Sequence, residues 1–207
     1  MRTHLKLAES CEIVGNHRYV TGGHAVSVDE HVEDGILYLT FASISCSDFA
    51  ETYGIIDMIV DFLHRPNNHD SYGNPHFIKD WRAIKKSVMT LANRDRARPI
   101  VLAGHGIGGA IALIAGYDLI KKGYTVNRVV TFGAPRSINS AKAIPLITYP
   151  LKLVTVQYVL PSDRYPKMFK FTRYKNINRT ELSDSALDRD EYQSSIDAYI
   201  KCLEVQK

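Results

Sequence analysis

Residues 104–110 read Gly104-His105-Gly106-Ile107-Gly108-Gly109-Ala110. The run before them, Arg98-Pro-Ile-Val-Leu-Ala-Gly104, is apolar, β-branched and of strand length. After them, Ala110, Leu113, Ile114, Tyr117 and Ile120 recur at helical spacing up to Gly123, which suits a helix C-cap. The glycines therefore sit where a strand turns sharply into a helix. Such a turn needs small residues on either side so that its central residue stands out above the sheet. A phosphate-binding loop is the rival reading, since a glycine-rich turn entering a helix offers free N–H groups to anions. No lysine-serine/threonine pair follows, however, and the bulky Ile107 and the Ala-Ile-Ala-Leu continuation belong to helix packing.

Working outward, Gly35–Phe41, Asn127–Gly133 and Lys152–Tyr158 are further apolar runs of strand length. Trp81, Ile84, Val88 and Leu91 share one helical stripe, and so do Tyr192, Ile196, Tyr199, Ile200 and Leu203 in the tail from Asp188. Arg65–Pro75 is turn-rich and reads as a loop. Strands alternating with helices predict an α/β fold with a mostly parallel sheet and helices on both faces. With 207 residues and 45% hydrophobic content, the expectation is one domain over 1–207.

A net charge of +4 is too small to announce a nucleic-acid binder by itself. The N-terminal residues lack an apolar segment of signal-peptide length, and no stretch approaches a membrane span. The three scattered cysteines, Cys11, Cys46 and Cys202, suit reduced packing thiols. A cytoplasmic protein is expected. His24, His31, His64, His69 and His76 have no metal-ligand spacing, so no metal and no cofactor is expected.

The motifs resemble the class 3 lipase family, whose elbow reads Gly-His-Ser-Leu-Gly-Gly-Ala. Thr131-Phe-Gly-Ala-Pro-Arg136 with Asn139 is similar to that family's Thr-Phe-Gly-Ala-Pro-Arg-Val-Gly-Asn segment. Phe41-Ala-Ser-Ile-Ser-Cys-Ser-Asp-Phe49 resembles its Phe-Arg-Gly-Thr-x-x-x-Asp-Trp, Asp57 a following acidic position, and Phe77 with Trp81 its next helix. Val159-Leu-Pro-Ser-Asp-Arg-Tyr-Pro166 looks like the loop that presents the triad aspartate. Ser194-Ser-Ile-Asp-Ala-Tyr199 is similar to the segment that carries the triad histidine. The resemblance runs from about Gly35 to the C-terminal helix and implies an α/β-hydrolase fold with a nucleophile elbow.

It also implies what has been lost. Gly106 stands at the nucleophile position, Ser194 at the histidine and Ile44 at the oxyanion threonine or serine, while Asp163 and the Ile107 backbone position remain. No histidine follows His105 in the chain. An aspartate with no imidazole to orient has no task in triad chemistry. By the family geometry His105 points into packing, which argues against it as a substitute base, and Cys46 reads as an inert thiol. In proteases with a comparable triad, deleting its members leaves roughly 10³ to 10⁴ over water. Losing an oxyanion donor removes on the order of another 10² to 10³. One serine-to-glycine change would fit an engineered trap, whereas three losses fit a natural pseudoenzyme, of a kind found in viruses as well as cells.

The expected function is therefore a binding or scaffold module for an apolar, acyl-like ligand or a protein partner. An active or engineered-inactive esterase is the alternative. A third reading rests on Arg164, Lys167, Lys170, Arg173, Lys175 and Arg179, interleaved with Tyr165, Phe169, Phe171 and Tyr174 and free of acidic residues. Such a run suits single-stranded nucleic acid or an acidic protein. The simpler expectation is a β-hairpin with Phe169 and Phe171 inward and Lys170 and Thr172 in water.

Overall fold

The computed structural model describes residues 3–13, 18–21, 24–42, 72–139, 143–167, 174–187 and 195–205. Helix α1 (His4–Ile13) precedes strands β1 (Arg18–Thr21), β2 (His24–Glu33) and β3 (Ile36–Ala42). Helix α2 (Pro75–Asn93) leads to β4 (Ile100–His105), which runs directly into α3 (Gly106–Lys121). Then come β5 (Val126–Phe132), β6 (Ile138–Asn139), α4 (Pro145–Val154), β7 (Thr155–Val159), a 3₁₀ turn (Tyr165–Lys167), β8 (Tyr174–Lys175), β9 (Arg179–Glu181) and α5 (Ile196–Val205).

Seven strands form one sheet in the order β1-β2-β3-β4-β5-β7-β9. The β1-β2-β3 pairings are antiparallel and every later pairing is parallel. The pairings of β3 with β4, β4 with β5 and β5 with β7 need crossovers, on which α2, α3 and α4 lie. The period-2 alternation of the strands sends Leu37, Leu39, Phe41, Ile100, Leu102 and Val129 into one core with α2, α3 and α4. Tyr38, Val101, Ala103, Val130 and Phe132 go to the opposite face, under α1 and α5. Helix α3 is buried almost all round from Gly106 to Leu119, because the sheet, α2 and α4 each cover a side.

Helix α2 is pinned to α3 by a buried carboxylate. Asp118 Oδ2 accepts from Trp81 Nε1 at 2.8 Å and pairs with Lys85 Nζ at 2.5 Å. Beside it the Tyr72 ring stacks on Tyr117 at 4.1 Å.

Two expectations need correction. Lys152–Val154 are the last turn of α4, and the strand begins at Thr155. Pro145 opens this helix and Pro150 lies inside it, which hid its period. Of residues 164–179, the 3₁₀ turn comes first, β8 pairs antiparallel with β6, and β9 joins β7 in parallel. Phe169, Lys170, Phe171, Thr172 and Arg173 lie outside the described residues. The last helix starts at Ile196, where the Ser195 hydroxyl accepts from the Ala198 N–H and caps it, and Tyr192 lies outside the described residues. Of the loop expected at 65–75, Gly73 bridges to Ile138, and residues 65–71 lie outside the described residues.

Candidate functional site

The sequence dictates the elbow through its lack of side chains. A Cβ on Gly104 would lie 2.5 Å from the Gly108 carbonyl, and one on Gly108 would overlap the Phe41 carbonyl oxygen. The first turn of α3 is thus pressed onto the ends of β4 and β3, and that closeness fixes the sharp change of direction. Gly106 is the hinge itself. Its φ is +53°, a left-handed value that glycine adopts freely and L side chains resist. Ile107 follows in the first turn of α3, where backbone N–H groups have no intrahelical acceptor. His105, the residue before the hinge, sets its ring edge-on to Tyr199 at 6.0 Å, on the α1/α5 face of the sheet. Through Tyr199, which donates to Asp163, this ring contact joins the residue next to the hinge to the buried carboxylate's clasp.

Asp163 stands beyond the end of β7, at the same carboxyl edge of the parallel sheet as Gly106, with β5 between the two strands. Its side chain is 1% exposed. The Tyr199 hydroxyl donates to Oδ2 at 2.6 Å and the Tyr165 N–H donates to Oδ1 at 2.8 Å. Tyr199 in turn accepts from the Leu160 N–H at 3.2 Å. Burial, then the charge of Asp163 and the bond to it, push the Tyr199 phenol far above its ordinary range, so it remains a donor. Gly133, just after β5, leaves the room this pair needs: a Cβ there would lie 2.6 Å from Asp163 Oδ2.

The fold therefore brings Gly106, Ile107 and Asp163 to one edge, linked through His105 and Tyr199. Ile44, Cys46, Asp57 and Ser194 lie outside the described residues, as do His64 and His69. On α5 itself, Ile196 precedes Tyr199 by three residues and shares its face, which is the face turned to Asp163. His31 is exposed on β2 beside Tyr38. Among the described residues no three His, Cys, Asp or Glu side chains gather as a metal set. In the basic stretch, Arg179 pairs with Glu181 and Lys167 Nζ donates to the Pro161 carbonyl, so two of its cations are engaged locally.

The tyrosine clasp on Asp163 has no signature in the sequence. The sequence puts Tyr199 on a helical stripe, and its hydroxyl, 36 residues from Asp163, carries no local signal.

A strand running through a glycine turn into a helix, at the carboxyl edge of a parallel sheet with a buried aspartate two strands along, defines the α/β-hydrolase class. The chain belongs to the class 3 lipase family, whose model, Lipase (class 3), matches residues 31–170. Secreted mono- and diacylglycerol lipase 2 of Gibberella zeae is 25% identical over 194 residues, 81% of this chain and 43% of that protein. Lipase A of Sodiomyces alcalophilus is 27% identical over 115 residues, 42% of this chain and 28% of that protein. The chain spans less than half the length of these curated relatives. The mono- and diacylglycerol lipase of Aspergillus oryzae superposes with a TM-score of 0.60 at 17% identity, over 91% of this chain and 82% of that one. The lipase of Rhizopus microsporus var. chinensis gives 0.58 at 18%, over 88% and 68%.

Proposed function

We propose that this chain is a class 3 lipase frame that binds and does not hydrolyse. One observation carries the reading: the elbow keeps its backbone shape, yet its tip is Gly106, with φ at +53° and no nucleophilic atom. Acyl-serine chemistry needs that atom and an imidazole to take its proton. The chain has no histidine after His105, and Asp163 is held by Tyr199 and the Tyr165 amide. The histidine role falls to Ser194 by resemblance, or to Ile196 by its place on the Tyr199 face, and neither residue is a base. Losing a catalytic side chain need not fill the space above it, so an apolar, acyl-like ligand is the favoured occupant, with a protein partner second.

The names of the relatives, mono- and diacylglycerol lipases among them, support an acyl chain as the ligand chemistry. We place the protein in a reducing, cytoplasmic setting, a reading supported by Cys11 and Cys202, which are buried and in no disulfide, with burial pushing the Cys11 thiol well up. No cofactor is invoked.

A fluorophosphonate probe, which traps activated serines, tests the catalytic half. The native protein should stay unlabelled, while a fluorescent long-chain fatty acid should bind and be displaced by unlabelled fatty acid. Stoichiometric labelling that is lost on heating and in Asp163→Asn would mean a displaced active site and would overturn the reading.

A further inference from the structure

Helix α4 is apolar on both sides. Its inner residues Ile147 and Leu151 are buried in the core with α3 and β5. Its outer residues Leu146, Tyr149 and Leu153 are 85%, 67% and 68% exposed, and Ile144, just before the helix, is 43% exposed. Among the described residues only Val32 and Val205 are other large apolar side chains exposed to this degree. Apolar side chains scattered singly over a surface need no explanation, but four gathered on one helix and its cap do.

We infer that this stripe is a self-association surface on which two copies of the chain pair through antiparallel α4 helices about a two-fold axis near Tyr149. The spacing points to a helix as the occupant. Leu146, Tyr149 and Leu153 are separated by three and then four residues, the a-d-a step of a two-helix seam. A helix lying on a membrane presents a broader apolar face bordered by several cations. Lys152 is the only charged residue in α4, and the face opposite the stripe is already committed to the protein's own core.

The order of the residues points to a second copy. Leu-Tyr-Leu reads nearly the same in both directions, so an antiparallel pair sets Leu146 against Leu153 of the other copy and brings the two Tyr149 rings together at the axis. A two-fold contact needs this self-complementarity. Antiparallel pairing also places each helix dipole against its opposite. The four exposed side chains offer about 500 Å² per copy, hence about 1,000 Å² per pair, the lower bound for a specific interface. A reversible dimer with a dissociation constant of about 10 to 100 μM is expected. This inference does not depend on whether the site at Gly106 is silent.

Sedimentation velocity of the native protein from about 1 to about 200 μM reads it directly. The average mass should rise toward that of a dimer. Tyr149→Lys should weaken association by about tenfold or more, whereas Val32→Lys, at an exposed apolar residue far along the sheet, should leave it unchanged. Both positions are exposed, so neither variant should disturb the fold, and circular dichroism checks this. In mixed single-cysteine variants, Leu146→Cys should oxidise with Leu153→Cys faster than with itself. A native protein that remains monomeric throughout overturns the inference. So does a dimer indifferent to Tyr149→Lys, or a monomer that pellets with phosphatidylglycerol vesicles through the same residue.

Discussion

Position 106 combines a backbone suited to catalysis with a side chain that cannot perform it. At φ +53° a serine would carry left-handed strain that glycine avoids. Gly106→Ser alone should therefore lower the unfolding free energy by roughly 1 to 2 kcal/mol, measured by urea denaturation, with no gain in ester turnover. A neutral or stabilising effect would show that the turn does not depend on glycine. The clasp on Asp163 makes a second residue-scale prediction. Tyr199→Phe removes a buried donor from a carboxylate and an acceptor from the Leu160 amide. It should cost about 2 to 3 kcal/mol in the same experiment.

Asp80 is 3% exposed, and its Oδ1 has no partner among the described residues. Burial pushes its carboxyl up to about 6, partly countered by Lys79. The unfolded chain releases this proton near pH 4 and the folded chain holds it until about 6. Stability is therefore lost as pH rises through that window, and the penalty is complete above it. Asp80→Asn should be more stable than the native protein by roughly 2 to 3 kcal/mol at about pH 7.5 and show a flatter profile between about pH 4 and 7. Equal profiles would mean the carboxylate has a partner in solution.

At the scale of elements, α1 is fastened to the sheet through one imidazole. Arg128 Nη1 donates to His4 Nε2 at 2.8 Å, so Nδ1, 2.6 Å from the Tyr158 hydroxyl, carries the proton and donates to it. Burial first and Arg128 second hold His4 below its usual range. A depressed histidine supports the fold above the unfolded value of about 6.5 and loses that support as pH falls. Acidification from about pH 7 to 5 should therefore speed amide exchange in α1, and His4→Gln should blunt the response. An unaltered response in that variant would exclude this contact as the cause.

How much of the elements was legible depends on how local their cause is. The elbow was readable because its glycines, its strand and its helix are contiguous. The hairpin between β2 and β3 is equally local, marked by Asp34-Gly35, both at positive φ. Helix α4 was not, because Pro145, Pro150 and its two apolar faces erase the contrast on which a helical period depends. The Trp81–Asp118 and Tyr199–Asp163 bonds join residues 37 and 36 positions apart, and no local pattern encodes such meetings.

For the whole molecule, the sheet, the elbow and the buried aspartate form an α/β-hydrolase frame, with Gly106 at the tip of the elbow. The glycines at 104 and 108 are held by close packing that any side chain would break. Packing thus accounts for these glycines independently of catalysis. The family relationship fixes the frame, while the chemistry has to be measured.

The measurement that bears on this most directly is hydrolysis of p-nitrophenyl butyrate and p-nitrophenyl palmitate by the native protein beside reconstructed variants. These carry Gly106→Ser and Ile44→Thr with either Ser194→His or Ile196→His. Turnover only in a reconstructed variant, lost again on Asp163→Asn, is the expected result, and the better histidine position identifies where the imidazole once stood. Turnover by the native protein above background, sensitive to Asp163→Asn, would contradict the binding role and place a working catalytic set elsewhere in the chain.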